Sequence, residues 1–291
     1  GGVVFLVMIR EAVPEQQVTP LLCRRSLAMN IAIGLSGLAM GAWLEVVPFP
    51  LNYQLMFGVA FILALISLYH VMKIHILPKP APRPARVERD SNPWHSPQFH
   101  QVAFITAVIH IAFFSVFPLT PLHLVDHLGA DEAYMGVYAL AELAAGAVVA
   151  LFAGRITARI GNRSLIALAM TGTGIGSLLV AFAPNLLIAL PAAAVLGGSW
   201  TAAGIGLFAY FSESTPAEGR AKFAVAYTQI VYLATFLGPM IGTGLRSAGI
   251  NLVAVILVGA LLRFLAACLT QFHTLEWVER ALHIEVFTTR S

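Results

Sequence analysis

The chain has 291 residues, of which 58% are hydrophobic and only 11% charged, and a net charge of +3 at neutral pH. A soluble globular domain carries charge at about a quarter of its positions, so this composition excludes one and places the chain in a bilayer. The basic residues are spread over many short connections, which excludes a nucleic-acid partner. Cys23, in a polar connection, and Cys268, in an apolar run, offer neither a disulfide framework nor metal-ligand spacing.

The opening run Gly1–Ile9 is apolar but much shorter than the roughly 20 residues a spanning helix needs, and no charged leader precedes it. It reads as the tail of a helix that begins upstream. Spans long enough to cross a bilayer follow at 27–45, 52–72, 101–123, 134–153, 164–184, 186–211, 222–245 and 250–271. Strands are excluded, because the runs show no period-two alternation and lipid-exposed backbone must be satisfied within its own helix.

Consecutive spans alternate in direction, which divides the connections into two sets. Fifteen of the 17 basic residues fall in one set, from Arg10, Arg24 and Arg25 through Arg155, Arg159 and Arg163 to Arg280 and Arg290. The other set holds only Arg246, and Arg263 lies within a span. The excess marks the cytoplasmic face and puts the C-terminus there. On the opposite face, Leu122–Glu132 carries Asp126, Asp131, Glu132, His123 and His127 without Lys or Arg.

Lys73–His100 holds six prolines among five basic residues, the composition of a stiff, extended linker. It separates residues 1–73 from a run of six spans at 101–271. Beyond the last span, in the tail 272–291, Thr274–Phe287 has Leu275, Val278, Leu282 and Val286 at helical spacing. This fits a short amphipathic helix on the membrane surface or a solvated tail.

The same punctuation occurs twice along the chain. Glu11 and Pro14 are echoed by Glu213 and Pro216 at an offset of 202, and Gly37 and Gly41 by Gly238 and Gly242 at an offset of 201. Duplicated bundles around a midplane site are a common transporter architecture.

After the span 134–153 comes Gly154-Arg155-Ile156-Thr157-Ala158-Arg159-Ile160-Gly161-Asn162-Arg163. It resembles the cytoplasmic loop signature of the major facilitator superfamily, Gly-x-x-x-Asp-Arg-x-Gly-x-Arg/Lys. Gly154, Arg159, Gly161 and Arg163 match; Ala158 replaces the family's aspartate and removes the local salt bridge it would make. Gly238-Pro239-Met240-Ile241-Gly242 resembles the Gly-Pro-x-x-Gly element of the family's antiporter-type members, although plain helix packing explains the same residues. The resemblance covers essentially the whole chain. It implies an all-α multi-helix bundle comprising helices 5–12 of twelve and the end of helix 4, with 1–73 the end of the first bundle, 74–100 the linker and 101–271 the second bundle. Together with the repeat offset it implies that roughly one hundred residues precede Gly1 and that this chain would not transport alone.

Ionisable groups at membrane depth are costly and mark functional candidates. Glu142 lies near the middle of its span and His110 equally deep in the antiparallel neighbour. They can form a protonation or substrate-binding pair; the other arrangement is a neutral Glu142 hydrogen-bonded between helices and a His110 held by a backbone carbonyl. Arg263 sits in the last span, where its stem can snorkel towards the headgroups. Ser199, Trp200, Thr201 and Tyr210 cluster in one span and Tyr227, Thr228, Gln229 and Tyr232 in the next, an amphipathic lining suited to a small molecule. Trp200, too deep for an interface anchor, is the preferred contact. At the cytoplasmic ends, Glu213 can pair with Arg155 or Arg159 as the family's gate residues do, or form a surface ion pair of little value.

The function implied is secondary transport of a small molecule by alternating access in the plasma (inner) membrane, coupled to protons by the family's default, with efflux favoured over uptake. A non-transporting receptor or scaffold on the same fold, or an uptake permease, is the other possibility. Neither a phosphate-binding loop nor a His-Glu-x-x-His motif occurs in the sequence, so no nucleotide, metal or other cofactor and no enzymatic activity are expected.

Overall fold

The computed structural model describes residues 12–74, 92–216 and 220–271. Every element among them is helical. The helices are α1 (Glu15–Val46), α2 (Leu51–Met72), α3 (Pro97–Phe114), α4 (Leu119–Leu128), α5 (Glu132–Ile160), α6 (Asn162–Ala181), α7 (Leu186–Ser214), α8 (Arg220–Ser247) and α9 (Leu252–Gln271), with one 3-10 turn at Pro93–His95. With α3 and α4 counted as one crossing, seven described segments are long and apolar enough to span a membrane. The remaining expected span, 27–45, lies inside the 32-residue α1. Glu11, the run Gly1–Ile9, linker residues 75–91 and the amphipathic stretch Thr274–Phe287 lie outside the described residues.

Side chains that satisfy orphan backbone donors set the helix starts. Ser96 Oγ accepts from Phe99 N–H at 3.3 Å, so α3 begins at Pro97, inside the stretch expected to be linker. Asp131 Oδ1 caps α5 through Tyr134 N–H at 2.7 Å, and Asn185 Oδ1 caps α7 through Ile188 N–H at 3.0 Å. Between α5 and α6 the chain reverses at Gly161, whose φ of 80° and ψ of 164° lie in a region nearly confined to glycine.

In a bilayer, helices associate through close packing and interhelical hydrogen bonds rather than through apolar burial alone. The tightest contacts join α5 to α7, α7 to α6 and α6 to α9, while α3 packs on α8 and α9. Helix α1 lies along α5 and touches α7; α2 rests chiefly on α1.

The crossing 97–128 is not one continuous helix. It stops at Phe114 and resumes at Leu119, with Pro118 in the gap. Pro118 has no N–H to return to the carbonyl of Phe114. Helix α8 lies directly against this break: a Cβ on Gly238 would stand 2.8 Å from Phe114 Cβ, and one on Gly242 would collide with Ser115 O. The expected glycine pair of the second half is therefore a backbone contact. In the first half, an added Cβ on Gly37 would meet nothing within 4 Å, and one on Gly34, a turn earlier, would make an ordinary contact 3.6 Å from Leu140 Cδ1.

Candidate functional site

A buried cation occupies the centre of the bundle. Arg263 of α9 is 2% exposed, which corrects the expectation that it snorkels to the headgroups. The broken crossing is the physical reason. Arg263 Nη2 donates to Phe113 O at 2.8 Å, so the guanidinium sits at the C-terminal, partially negative end of α3. Its Nη1 donates to Thr173 O at 3.1 Å and to Ser177 Oγ on α6, and the Phe113 ring lies 4.8 Å from the guanidinium carbon. Three helices are held at one point by one side chain. All of these partners are neutral, and Arg263 Nε–H has no partner.

A cavity of about 160 Å³ opens beside this guanidinium. Phe113 and Phe117 from the break, Met135, Tyr138 and Glu142 from α5, and Arg263 line it. Tyr138 is 4% exposed, and its hydroxyl likewise has no hydrogen-bond partner. Tyr138 and Glu142 are four residues apart on one helix and so share a face. A predominantly apolar cavity with a few convergent polar groups is the usual form of a small-molecule site.

An aromatic cluster adjoins the cavity. Trp200 stacks on Phe113 with ring centroids 3.8 Å apart and an interplanar angle of 13°. The His110 ring meets Trp200 edge-on at 5.6 Å. Since a carbonyl can only accept, His110 Nδ1–H donates to Thr106 O, at 2.8 Å. On its other side Trp200 borders a second space of about 260 Å³ between α1 and α7, lined by Arg25, Asn30, Thr201 and Phe208 among others. The Phe113–Trp200 stack thus stands between two spaces within the bundle. No hydrogen bond or ion pair joins His110 to Glu142 among the described residues.

The other candidates divide. Tyr227 is buried at 7% exposure, its ring centroid 4.4 Å from that of Phe211, whereas Gln229 is exposed and Tyr232 is 64% exposed. At the basic end of the bundle, Arg155, Arg159 and Glu213 are exposed, and among the described residues neither arginine pairs with Glu213. Arg163 is anchored instead: Nε and Nη2 donate to Thr270 O at 2.9 and 2.7 Å, tying the turn to the end of α9. Gly154 faces α1, where an added Cβ would lie 3.4 Å from Cys23 Sγ. The clamp made by Arg263, the unpartnered Tyr138 hydroxyl and the break at Ser115–Pro118 went unseen in the sequence. Pro118 inside an apolar span was the available signal for the break.

A family model described as Major Facilitator Superfamily matches residues 2–239 and, in a second alignment, 102–275. Among solved structures, the chain is similar to the crystal structure of a bacterial homologue of iron transporter ferroportin in outward-facing state. That likeness has a TM-score of 0.63 at 17% sequence identity and covers 92% of this chain and 66% of the other. At such identity the likeness concerns the fold. No curated protein sequence matches this one.

Proposed function

The chain belongs to the major facilitator superfamily, a multi-pass family of membrane transporters, and from that premise we propose proton-coupled secondary transport of a small molecule, in the direction of efflux. The observation that carries the proposal is the meeting of Glu142, Tyr138 and Arg263 around one cavity beside the Phe113–Trp200 stack. Glu142 is the group that gains and loses the proton. The aromatic stack and His110 form the partition between the two spaces, and alternating access exposes the cavity to one side at a time. Proton and solute compete for the Glu142 carboxylate, so entry of one releases the other, which is the requirement for exchange.

Efflux draws support from the Gly238-Pro239-x-x-Gly242 element, which lies against the break in the α3–α4 crossing. The basic end, with the turn Gly154–Arg163, faces the cytoplasm of a cell whose plasma membrane holds the protein. Glu213 and the arginines of that turn close this end in one of the alternating states. Trp200 and Tyr227 contribute to the path, together with Gln229 and Tyr232, whose exposed positions on α8 face outward from the described helices.

Vesicles containing the full protein and an internal pH-sensitive dye test this reading against a panel of amino acids, sugars and organic cations. At least one solute is expected to drive proton movement, and Glu142→Gln is expected to abolish it. Absence of solute-evoked proton movement across the panel would refute the proposal.

A further inference from the structure

At the basic end of the bundle a groove of about 410 Å³ opens between α1 and α5. It shares no lining residue with either space at the Phe113–Trp200 stack. Cys23 and Gly154 meet across it, so closely that a Cβ on the glycine would stand 3.4 Å from Cys23 Sγ. Arg24 and Arg155, each next in sequence to one of that pair, therefore line the groove at one level from two helices, and both are exposed. Neither pairs with a carboxylate among the described residues. Arg25, the next residue of α1, lines the space beside Trp200 instead.

The two helices pass this level in opposite directions. Helix α1 runs inward from the basic end, so Leu27 lies about one turn deeper than Arg24; α5 runs towards that end, so Leu151 lies about one turn deeper than Arg155. Leu151 is 56% exposed, and Val148, deeper again on the same face of α5, is 55% exposed. Charge stands at the mouth, and an exposed apolar strip leads from it towards the middle of the membrane. A soluble phosphate would answer the arginines and leave the strip uncovered; a phospholipid answers both.

We infer that this groove binds an anionic phospholipid, its headgroup phosphate on the guanidinium groups of Arg24 and Arg155 and an acyl chain along Leu27, Leu151 and Val148. A guanidinium fork matches phosphate oxygens two at a time, and basic pockets between membrane helices suit such headgroups. The groove is larger than the roughly 150 Å³ that holds benzene, so phosphate and glycerol enter together. Lipid binding here is independent of the transport proposal.

Native mass spectrometry of the full protein in detergent tests the site, with phosphatidylglycerol and phosphatidylcholine of identical acyl chains as probes and glycerol 3-phosphate as the soluble one. Phosphatidylglycerol should be retained about tenfold more than phosphatidylcholine, and Arg24→Gln should cut that retention by about fivefold, the share of one basic residue near an anionic surface. Arg24→Lys should lower it less. Arg24 is the position to change, because it is exposed and because Arg155 also belongs to the turn assigned to closing the basic end. Lys73→Gln, which removes a charge at the end of α2 outside the groove, should leave retention unchanged. Equal retention of the two lipids would overturn the inference, as would equal losses in Arg24→Gln and Lys73→Gln, the mark of diffuse attraction. Glycerol 3-phosphate binding that Arg24→Gln abolishes, without preference between the lipids, would make the groove a site for soluble phosphate esters and overturn the lipid assignment.

Discussion

Arg263 shows how one residue takes its role from backbone geometry that a hydropathy pattern does not display. An arginine within an apolar run reads as snorkelling, because the sequence gives its depth along α9 and not what lies beside it. Here the end of a neighbouring helix supplies Phe113 O, and α6 adds Thr173 O and Ser177 Oγ. Arg263→Leu orphans these groups at about 1–3 kcal/mol each where no new partner reaches them, so the melting temperature of the detergent-solubilised protein should fall. Arg263→Lys should give an intermediate value, because an ammonium lacks the planar fork that reaches two helices at once. A leucine variant as stable as the parent would show that the clamp contributes nothing. Glu142 was legible as an ionisable group at depth, whereas its neighbours across the cavity were not. Tyr138, one turn away, carried no distinguishing pattern.

At the scale of the element, the helices were legible, but α1 begins at Glu15, well before the expected span 27–45 and through Cys23, which was expected in a polar connection. Each of the six spans from residue 101 onward finds its helix, and the boundaries moved by a few residues where Ser96, Asp131 and Asn185 cap a start. The one crossing that was misjudged is 101–123, where hydropathy runs unbroken through Pro118 and conceals the change in backbone. Gly242 tests the packing of α8 on that break. Gly242→Ala forces a Cβ into Ser115 O and should destabilise the protein by about 1–3 kcal/mol. Gly244→Ala, with nothing within 4 Å of the added carbon, should be neutral or stabilise by about 0.5–1 kcal/mol through helix propensity. Equal effects of the two in thermal unfolding would contradict the close approach. Gly161→Ala should cost about 1–3 kcal/mol, since its φ of 80° with ψ of 164° disfavours any side chain.

For the whole molecule, the distribution of Lys and Arg predicts an orientation, with the basic connections cytoplasmic. With Cys23 and Cys268 replaced by serine, a single cysteine at Asp126 should react with an impermeant thiol reagent added outside intact cells, and one at Arg155 only after permeabilisation; the reverse pattern would invert the topology. The family and its transport architecture were legible because they rest on spans, turns and charge, all of which are sequence periodicities. The cavity was not, because it joins residues of α3, α5 and α9 whose proximity depends on the break and on three-dimensional packing. The central claim, that Glu142 couples proton to solute in this cavity, meets its most direct test in vesicles that compare two modes of movement of a solute identified by its proton response. Wild-type protein should accumulate the solute against its gradient when a pH gradient is imposed and should also exchange it at equilibrium. Glu142→Gln should retain measurable exchange and lose the accumulation driven by pH; accumulation that survives the substitution unchanged would contradict the account.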